Sequence, residues 1–348
     1  MDLSTYQGRP VLVTGGLGFI GSNVALRLAS LGAKVTVADS LIPGCGANRF
    51  NIAGASIELI EADLSEPAAL EAAIRGASVI FNLAGEISHI HSMEYPERDL
   101  QINTVSQLRF LDACRRLNRG VRVIYAGTRQ VFGRPRYLPV DEEHPIRPVD
   151  YNGVHKYAAT MYHLMMSELG DLDAIVLRLT NVYGPRMSLN VTGQGFLGVF
   201  FRKALLGEPI TVYGEGEQLR DPVYVADVVE AFLLAGIATA AAQREFNIGG
   251  LEALSLRQIA LEIGGKVEHI PFPSHLQHID IGSYYTDSRR AKEMLGWEAK
   301  TALAEGTAKT LAYYREHFSE YLNPDEKLRR ELPEHAGIRR RLEFKAIP

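Results

Sequence analysis

The hydrophobic residues of the N-terminal half occur in short uninterrupted runs, and amphipathic segments separate these runs. Uninterrupted apolar runs are typical of strands buried on both faces of a sheet, whereas apolar residues spaced three and four apart indicate a helix. The runs lie at residues 11–13, 34–38, 57–63, 78–85, 121–126 and 174–179, and the main amphipathic segments lie at 22–31, 100–117 and 156–169. This order predicts an α/β fold with a doubly wound parallel sheet.

A glycine-rich turn connects the first predicted strand to the first predicted helix. Gly15 permits a tight turn, Gly18 lets the backbone approach a pyrophosphate, and Gly21 lets the helix pack closely on the strand. The free N–H groups at the start of the helix then face the two phosphates. Asp39 ends the second strand, where a carboxylate accepts hydrogen bonds from an adenosine ribose and repels the 2′-phosphate of NADP. The pattern therefore predicts a dinucleotide site that favours NAD.

Composition and charge exclude several other classes of protein. The chain has 348 residues, a net charge of -4 and 22% charged residues, so no basic surface argues for nucleic-acid binding. No apolar run approaches the roughly twenty residues that span a bilayer. Because the first predicted strand begins within about ten residues of the start, we expect no signal peptide. Cys45 and Cys114 are too few for a disulfide framework, and His89 and His91 have no third ligand nearby for a metal. The sequence predicts a cytoplasmic protein without a metal.

Several motifs together resemble one enzyme family. The spacing Gly-x-x-Gly-x-x-Gly with Gly-Phe-Ile-Gly at 18–21 is similar to that of the extended short-chain dehydrogenases/reductases of the NAD-dependent epimerase/dehydratase type. Further markers lie at 128–133, 181–185, 220–221 and 295–297. The resemblance covers residues 11 to about 314. It implies a Rossmann-type sheet, with a smaller interleaved α/β domain that binds a nucleoside diphosphate sugar.

The resemblance and the turn together imply a set of cofactor-binding residues. Small residues at the end of the fourth strand let a cofactor lie across the strand tip. An Asp-Leu pair at the end of the third strand touches the adenine in the resembling family. The predicted NAD-binding residues are Gly15, Gly18, Phe19, Ile20, Gly21, Asp39, Ser40, Asp63, Leu64, Leu83, Ala84, Gly85, Asn103 and Lys156.

The family's chemistry also implies catalytic positions. A tyrosinate, stabilised by a lysine four residues on, takes a proton from a sugar hydroxyl, and a Ser or Thr hydroxyl completes the hydrogen bonding. Thr128 and Lys156 match the hydroxyl and the lysine, but Asn152 stands where the tyrosine belongs and cannot act as a base. We predict that Tyr151, one position earlier, supplies the base. The alternatives are Glu86, His89 and His91 on a polar loop that faces the site.

The residues after Thr128 bear on the reaction. A 4,6-dehydratase of this family needs an Asp-Glu pair here, and Arg129-Gln130 cannot supply it. A 4-epimerase needs no such pair. The resemblance places Arg220 on the substrate diphosphate. A second arginine of the family is replaced here by Gln277-His278, so either His278 contacts a phosphate more weakly or the substrate is not a standard diphosphate sugar. The predicted substrate-binding residues are Glu86, Ser88, Thr128, Asn181, Arg220 and His278.

These observations predict an NAD-dependent epimerase, acting at C4 of a nucleoside diphosphate sugar through a transient keto intermediate. The alternatives are a nucleotide-sugar dehydratase or decarboxylase, and an NAD-binding protein without turnover. The helices that start near residues 100 and 156 carry more apolar surface than a sheet covers, which predicts a homodimer. The predicted domains are residues 1–183 and 215–249 for NAD, 184–214 and 250–320 for the substrate, and a charged extension at 321–348.

Overall fold

The fold is given by a computed structural model that describes residues 1–190, 195–239, 244–274 and 277–322. Seven strands form the main sheet in the order β11-β6-β5-β4-β1-β2-β3, and every neighbouring pair is parallel. The strands are β1 Pro10–Thr14, β2 Lys34–Asp39, β3 Glu58–Glu61, β4 Val79–Asn82, β5 Arg122–Thr128, β6 Asp173–Leu179, β7 Val182–Tyr183, β8 Ile210–Tyr213, β9 Leu219–Arg220, β10 Val223–Tyr224, β11 Glu245–Ile248, β12 Leu254–Ser255 and β13 Val267–Ile270. The predicted doubly wound fold is confirmed.

Helices cover both faces of this sheet. They are α1 Phe19–Ser30, α2 Glu71–Gly76, α3 His89–Glu94, α4 Pro96–Leu100, α5 Ser106–Leu117, α6 Tyr151–Glu168, α7 Phe196–Leu206, α8 Val225–Ile237, α9 Leu256–Ile263, α10 Arg289–Leu295, α11 Leu303–Glu316 and α12 Phe318–Tyr321. A π-helical turn, Gln101–Val105, joins α4 to α5, and 3₁₀ turns lie at Leu3–Tyr6, Arg49–Ile52, Pro67–Leu70 and Arg129–Phe132.

The central strands bury side chains on both faces, as their uninterrupted apolar runs predict. In β1, Val11 and Val13 pack into a core with α1 and α8, whereas Leu12 between them packs into a second core with α2 and α5. Strand β11 pairs with β6 and forms one edge of the sheet, so the chain returns to this layer after leaving it.

A smaller unit packs beside the carboxyl end of the sheet. Its core includes Phe201 of α7, Val212 of β8, Ile259 of α9 and Tyr314 of α11. Two short pairs, β8 with β13 and β9 with β12, add its own small sheets. The predicted domain boundaries remain a prediction. Most of the predicted extension at 321–348 lies outside the described residues, but Tyr321 itself is buried in this core.

Two local predictions differ from the structure. Helix α1 begins at Phe19 instead of residue 22, with Gly18 at its N-cap. The segment predicted as a polar loop at 86–92 contains α3, because the Ser88 hydroxyl accepts a hydrogen bond from the backbone N–H of His91 and caps that helix. None of the helices in the described ranges is long and apolar enough to cross a membrane.

Candidate active site

A continuous cleft lies at the carboxyl ends of β1, β4 and β5. One part, with an empty volume of about 930 Å³, runs along the ends of β2 and β3, and the other, about 1350 Å³, extends past β5 and β6 towards α7. The two parts share Gly15, Gly18, Cys45, Leu83 and Gly85. In open α/β sheets, ligands bind in the crevice where the strand order reverses, which is between β1 and β4 here.

The glycine turn leaves no room for side chains. A Cβ at Gly21 would lie 2.2 Å from the carbonyl oxygen of Gly15, and a Cβ at Gly15 would lie 2.8 Å from the backbone of Leu83 and Ala84. No side chain caps the N-terminus of α1, so its first N–H groups are available to an anion. These features fit the pyrophosphate of a dinucleotide.

The predicted cofactor residues line this cleft with one exception. Those in its lining are Gly15, Gly18, Phe19, Ile20, Gly21, Asp39, Ser40, Asp63, Leu64, Leu83, Ala84, Gly85 and Lys156. Asn103 is fully buried outside the lining, where its amide bonds both the N–H and the carbonyl oxygen of Glu86. It therefore holds the segment after β4 in place.

Asp39 has a local structural task as well. Its carboxylate accepts hydrogen bonds from the backbone N–H of Leu17 at 3.0 Å and of Leu41 at 2.9 Å. Burial raises the pKa of this carboxyl, and the two N–H donors oppose that rise. The side chain therefore links the glycine turn to the segment after β2.

We expect NAD to bind much more tightly than NADP, because a 2′-phosphate would lie against the Asp39 carboxylate. The variant Asp39→Asn removes the charge and keeps an acceptor for the backbone N–H groups. It should therefore lower the ratio of the NAD affinity to the NADP affinity about tenfold or more. Calorimetry with both dinucleotides measures this difference. Equal affinities in the unmutated protein would contradict the prediction.

Lys156 and Thr128 meet in the larger part of the cleft. The Lys156 ammonium is buried 3.4 Å from the Ala126 carbonyl oxygen and 5.3 Å from the centre of the Tyr125 ring. Burial lowers the pKa of Lys156 to about 8, and the charge of Asp99 opposes that shift. The Thr128 hydroxyl accepts a hydrogen bond from the N–H of Gln130 and lines the same space.

The structure does not bring Tyr151 to this cleft. Asp150 caps α6 by accepting a hydrogen bond from the N–H of Gly153, so the helix has already begun at Tyr151. Neighbouring helical residues point about 100° apart, and Asn152 therefore takes the direction that faces the cleft. The Tyr151 side chain is 45% exposed and stacks on His155. Its position contradicts the prediction that its phenol is the base.

Asn152 is part of a buried polar network. Its amide nitrogen donates to the carbonyl oxygen of Glu86 and to the carboxylate of Asp99, each at 2.9 Å. The other oxygen of Asp99 lies 2.7 Å from Nδ1 of His155. Both amide hydrogens of Asn152 are thus used, and only its oxygen, an acceptor, remains for a ligand.

His89 is the candidate base that the structure does bring to the cleft. It opens α3 and lines the larger part of the cleft, with Nδ1 3.3 Å from the side-chain nitrogen of Gln130. Burial, together with the charge of Arg129, lowers the pKa of His89 to about 4. The imidazole is therefore neutral at physiological pH.

Two other predicted substrate residues, Glu86 and Ser88, lie between β4 and α3 but do not line the larger part of the cleft. The buried carboxylate of Glu86 lies 3.6 Å from Arg98 and 3.7 Å from His91 and is outside the cleft lining. Ser88 is buried and serves as the cap of α3. Both residues shape the segment, and their predicted substrate contacts remain a prediction.

Of the remaining predicted substrate residues, Asn181 lines the cleft and its amide oxygen is buried without a hydrogen-bond partner in the described ranges. Arg220 is buried outside that lining and donates to the carbonyl oxygens of Leu219 and Gly282. Both bonds use Nη1, so a diphosphate contact would have to come from Nε or Nη2. His278 is exposed and is not part of the lining.

The sequence profile of the NAD dependent epimerase/dehydratase family matches residues 11–249, which is most of the chain. The chain belongs to this family. NAD is its cofactor, and structures of related proteins contain NAD. The cleft described above fits that cofactor, because its glycine turn, the N-terminus of α1 and Asp39 stand where a dinucleotide needs them.

Members of the NAD-dependent epimerase/dehydratase family with different activities are similar to this chain. UDP-glucose 4-epimerase from Mycolicibacterium smegmatis is 35% identical over 87% of this chain and 98% of its own length. UDP-glucuronic acid decarboxylase 1 from Xenopus tropicalis is 34% identical over 92% of this chain and 76% of its own. The structure of UDP-glucose 4-epimerase from Thermotoga maritima with UDP-glucose has a TM-score of 0.80 and 30% identity, over 88% of this chain and 99% of that one.

Sequence reasoning missed much of the larger part of the cleft, which extends past β5 and β6 towards α7 and is called the sugar side below. The missed lining residues include Ile87, Thr180, Met187, Ser188, Phe196 and Leu197. Met187 and Leu197 also belong to the core of the smaller unit, so their apolar character indicated packing and gave no sign of a ligand. The sequence pattern singles out Arg129 and Gln130 only because a 4,6-dehydratase would need an Asp-Glu pair there. Both side chains line the cleft.

Proposed function

We propose that this enzyme epimerises a nucleoside diphosphate sugar at C4 through a transient 4-keto sugar. One observation carries the proposal. The described lining of the sugar side offers a hydroxyl at Thr128, an ammonium at Lys156 and an imidazole at His89, but no carboxyl group. Epimerisation needs one proton acceptor at O4, whereas elimination of water needs a further acid and base at C5 and C6.

In this proposal His89 accepts the proton of the C4 hydroxyl and later returns it. The chemistry that bound NAD supplies is the acceptance of a hydride from C4 and its return. Rotation of the keto sugar within the cleft would expose its other face, so the configuration at C4 would be inverted at the end of the cycle. Because His89 gives back to O4 the proton that it took, the enzyme ends the cycle in its starting state.

The Gln130 amide sets the tautomer of His89. The Gln130 amide nitrogen lies 3.3 Å from Nδ1 of His89. When the amide is rotated so that its oxygen faces Nδ1, the imidazole donates its Nδ1 hydrogen to that oxygen, and Nε2 keeps the lone pair that accepts a proton. The two ends of a glutamine amide are interchangeable by rotation, so this arrangement needs no other movement.

The remaining polar groups orient the sugar. The Asn152 oxygen is an acceptor for a sugar hydroxyl, and the Thr128 hydroxyl supplies a second hydrogen bond beside it. The Lys156 ammonium stabilises negative charge that develops on O4 as the proton leaves. In this way Lys156 retains an electrostatic task although Asn152 replaces the tyrosine.

A panel of UDP-, dTDP-, GDP- and CDP-sugars tests the proposal. The purified protein is incubated with each sugar, and NADH absorbance and sugar products are measured. A C4 epimer without net NADH supports the proposal. Release of CO₂ indicates decarboxylation, an unsaturated or 6-deoxy product indicates dehydration, and no product from any sugar favours NAD binding without turnover.

We also propose a homodimer through the surface formed by α4, α5 and α6. Exposed apolar side chains share this surface, with exposures from 37% at Leu100 to 64% at Leu169. On α6, Val154, Met161 and Met165 lie seven and four residues apart, which places them on one face.

We expect the double substitution Met161→Glu and Met165→Glu to shift the dimer to monomer, because it would bury unpaired carboxylates at the interface at a cost of about 3–5 kcal/mol. Light scattering at micromolar concentration measures the change in mass. The control is Leu261→Glu, an exposed apolar residue on α9, which should leave the mass of the dimer unchanged. A monomeric unmutated protein would rule out the proposed assembly.

A further inference from the structure

Arg129 is a charged residue in the cleft that the proposed reaction does not use. It directly follows Thr128, is half-buried, and lines the sugar side of the cleft. Its guanidinium carbon lies 5.0 Å from the centre of the Tyr284 ring. Within the described ranges the guanidinium makes no hydrogen bond and no ion pair, although it has five N–H donors.

A half-buried guanidinium without a hydrogen-bonding partner is costly, because burial removes water from its donors. Burial lowers the pKa of Arg129, and Tyr284, Asp221 and Asp150 oppose that shift. In the described part of the chain neither carboxylate forms an ion pair with the guanidinium. The Tyr284 ring, 5.0 Å from the guanidinium carbon, covers one side of the Arg129 side chain and limits the positions that it can take.

The charge of the surrounding lining indicates the sign of that partner. Arg129 and Lys156 are the two charged side chains in the described lining of the sugar side, and both are cationic. A cleft lined by one sign of charge concentrates ligands of the opposite sign. The diphosphates of the cofactor and the substrate are anions, but the chain position of Arg129, next to Thr128, places it beside the sugar.

We infer that Arg129 binds a carboxylate on the sugar, so that the substrate class is a nucleoside diphosphate hexuronic acid. This inference rests on the proposed function for the reaction, but the binding that it describes does not require turnover. A guanidinium and a carboxylate form two parallel hydrogen bonds in one plane, and a neutral hydroxymethyl group at C6 cannot form them.

Binding of a carboxylate here has a consequence for His89. Burial lowers the pKa of His89, and the charge of Arg129 lowers it further. An anion on the guanidinium neutralises that charge. The pKa of His89 should therefore rise when the hexuronic acid binds. The substrate itself would strengthen the base that acts on it.

Calorimetry on the NAD-loaded protein tests the inference with UDP-glucuronic acid, UDP-glucose and UDP as probes. The unmutated protein should bind UDP-glucuronic acid at least about tenfold more tightly than UDP-glucose. In Arg129→Gln this ratio should fall to about one. The matched control Arg27→Gln removes an exposed arginine on α1 and should keep the ratio of the unmutated protein. NMR titration of the imidazoles should show a higher pKa for His89 with UDP-glucuronic acid than with UDP-glucose.

Three results would overturn the inference. Equal affinities of the unmutated protein for the two sugars would show that no carboxylate is recognised. If Arg129→Gln loses as much affinity for UDP as it loses for UDP-glucuronic acid, Arg129 binds the diphosphate instead of the sugar. If Arg129→Gln has a lower melting temperature but the same ratio of affinities for UDP-glucuronic acid and UDP-glucose, Arg129 is a structural partner of Asp221.

Failure of the proposed function has a different signature. A ketone at C4 is β to the C6 carboxylate, so a hexuronic acid oxidised at C4 can lose CO₂, with the electrons of the C5–C6 bond passing to the ketone. CO₂ release, or no turnover at all, together with an intact preference for UDP-glucuronic acid, would refute epimerisation and support the role of Arg129.

Discussion

Replacing His89 with glutamine is expected to lower kcat by about 10²–10⁴, the range typical of losing a general base. Glutamine keeps a polar group next to Gln130 but has no lone pair that accepts a proton near neutral pH. NAD affinity should change little, since His89 lines the sugar side of the cleft and is absent from the lining of the part along β2 and β3. Steady-state kinetics and NAD calorimetry on the same preparation separate these effects.

Tyr151→Phe is the matched control for His89→Gln. The exposed Tyr151 ring lies outside the cleft lining, so removing its hydroxyl should leave kcat near that of the unmutated protein. A large loss in Tyr151→Phe with normal rates in His89→Gln would restore the tyrosine as the base. If neither variant loses activity, substitution of Glu86 and His91 tests the other two candidates.

The pH profile gives a second signature of the same site. With a pKa of about 4, His89 is in its neutral, proton-accepting form throughout pH 5–8. Burial places the pKa of Lys156 at about 8, so its positive charge is present below pH 8 and is lost above it. We therefore expect kcat/KM to be level between about pH 5 and 7 and to fall above pH 8.

Gly21→Ala should abolish NAD binding at micromolar concentration. The added Cβ would lie 2.2 Å from the Gly15 carbonyl oxygen, and both groups belong to the backbone. Gly15 cannot move away easily because its N–H donates to the carbonyl oxygen of Ala38 at 2.8 Å. The turn must open to admit the methyl group, and opening it displaces the N–H groups that face the pyrophosphate.

The control for Gly21→Ala is Gly76→Ala at the end of α2, where an added Cβ meets no atom within 4 Å. Calorimetry with NAD and circular dichroism of each variant separate lost binding from lost folding. Normal NAD affinity in Gly21→Ala would contradict the steric argument.

The main sheet and its cofactor cleft could be predicted because local patterns determine them. Apolar runs fix the strands of a sheet that is buried on both faces, and the three glycines fix a turn in which the backbone itself makes the contacts. These patterns can be recognised in the sequence without knowing which distant residues they contact. The structure accordingly places Gly15, Gly18, Gly21 and Asp39 together in the cleft.

The catalytic details depend on contacts that spacing does not show. Whether Tyr151 or Asn152 faces the cleft depends on where α6 begins, and the Asp150 cap sets that start. The direction of Arg220 depends on carbonyl groups at Leu219 and Gly282, and Gly282 lies far along the chain. Sequence spacing placed these residues near the site but could not give their orientation.

The network around Asn152 limits which side chains fit at position 152. The side chain of Asn152 joins α6 to α4 through Asp99 and to the segment after β4 through the Glu86 carbonyl. A tyrosine at position 152 would offer one hydroxyl in place of two amide hydrogens, and the buried Asp99 would lose a donor. The single change Asn152→Tyr is therefore expected to be destabilising unless Asp99 also changes. Position 152 is thus epistatically coupled to Asp99, and the effect of Asn152→Tyr on the free energy of unfolding should depend on which residue occupies position 99.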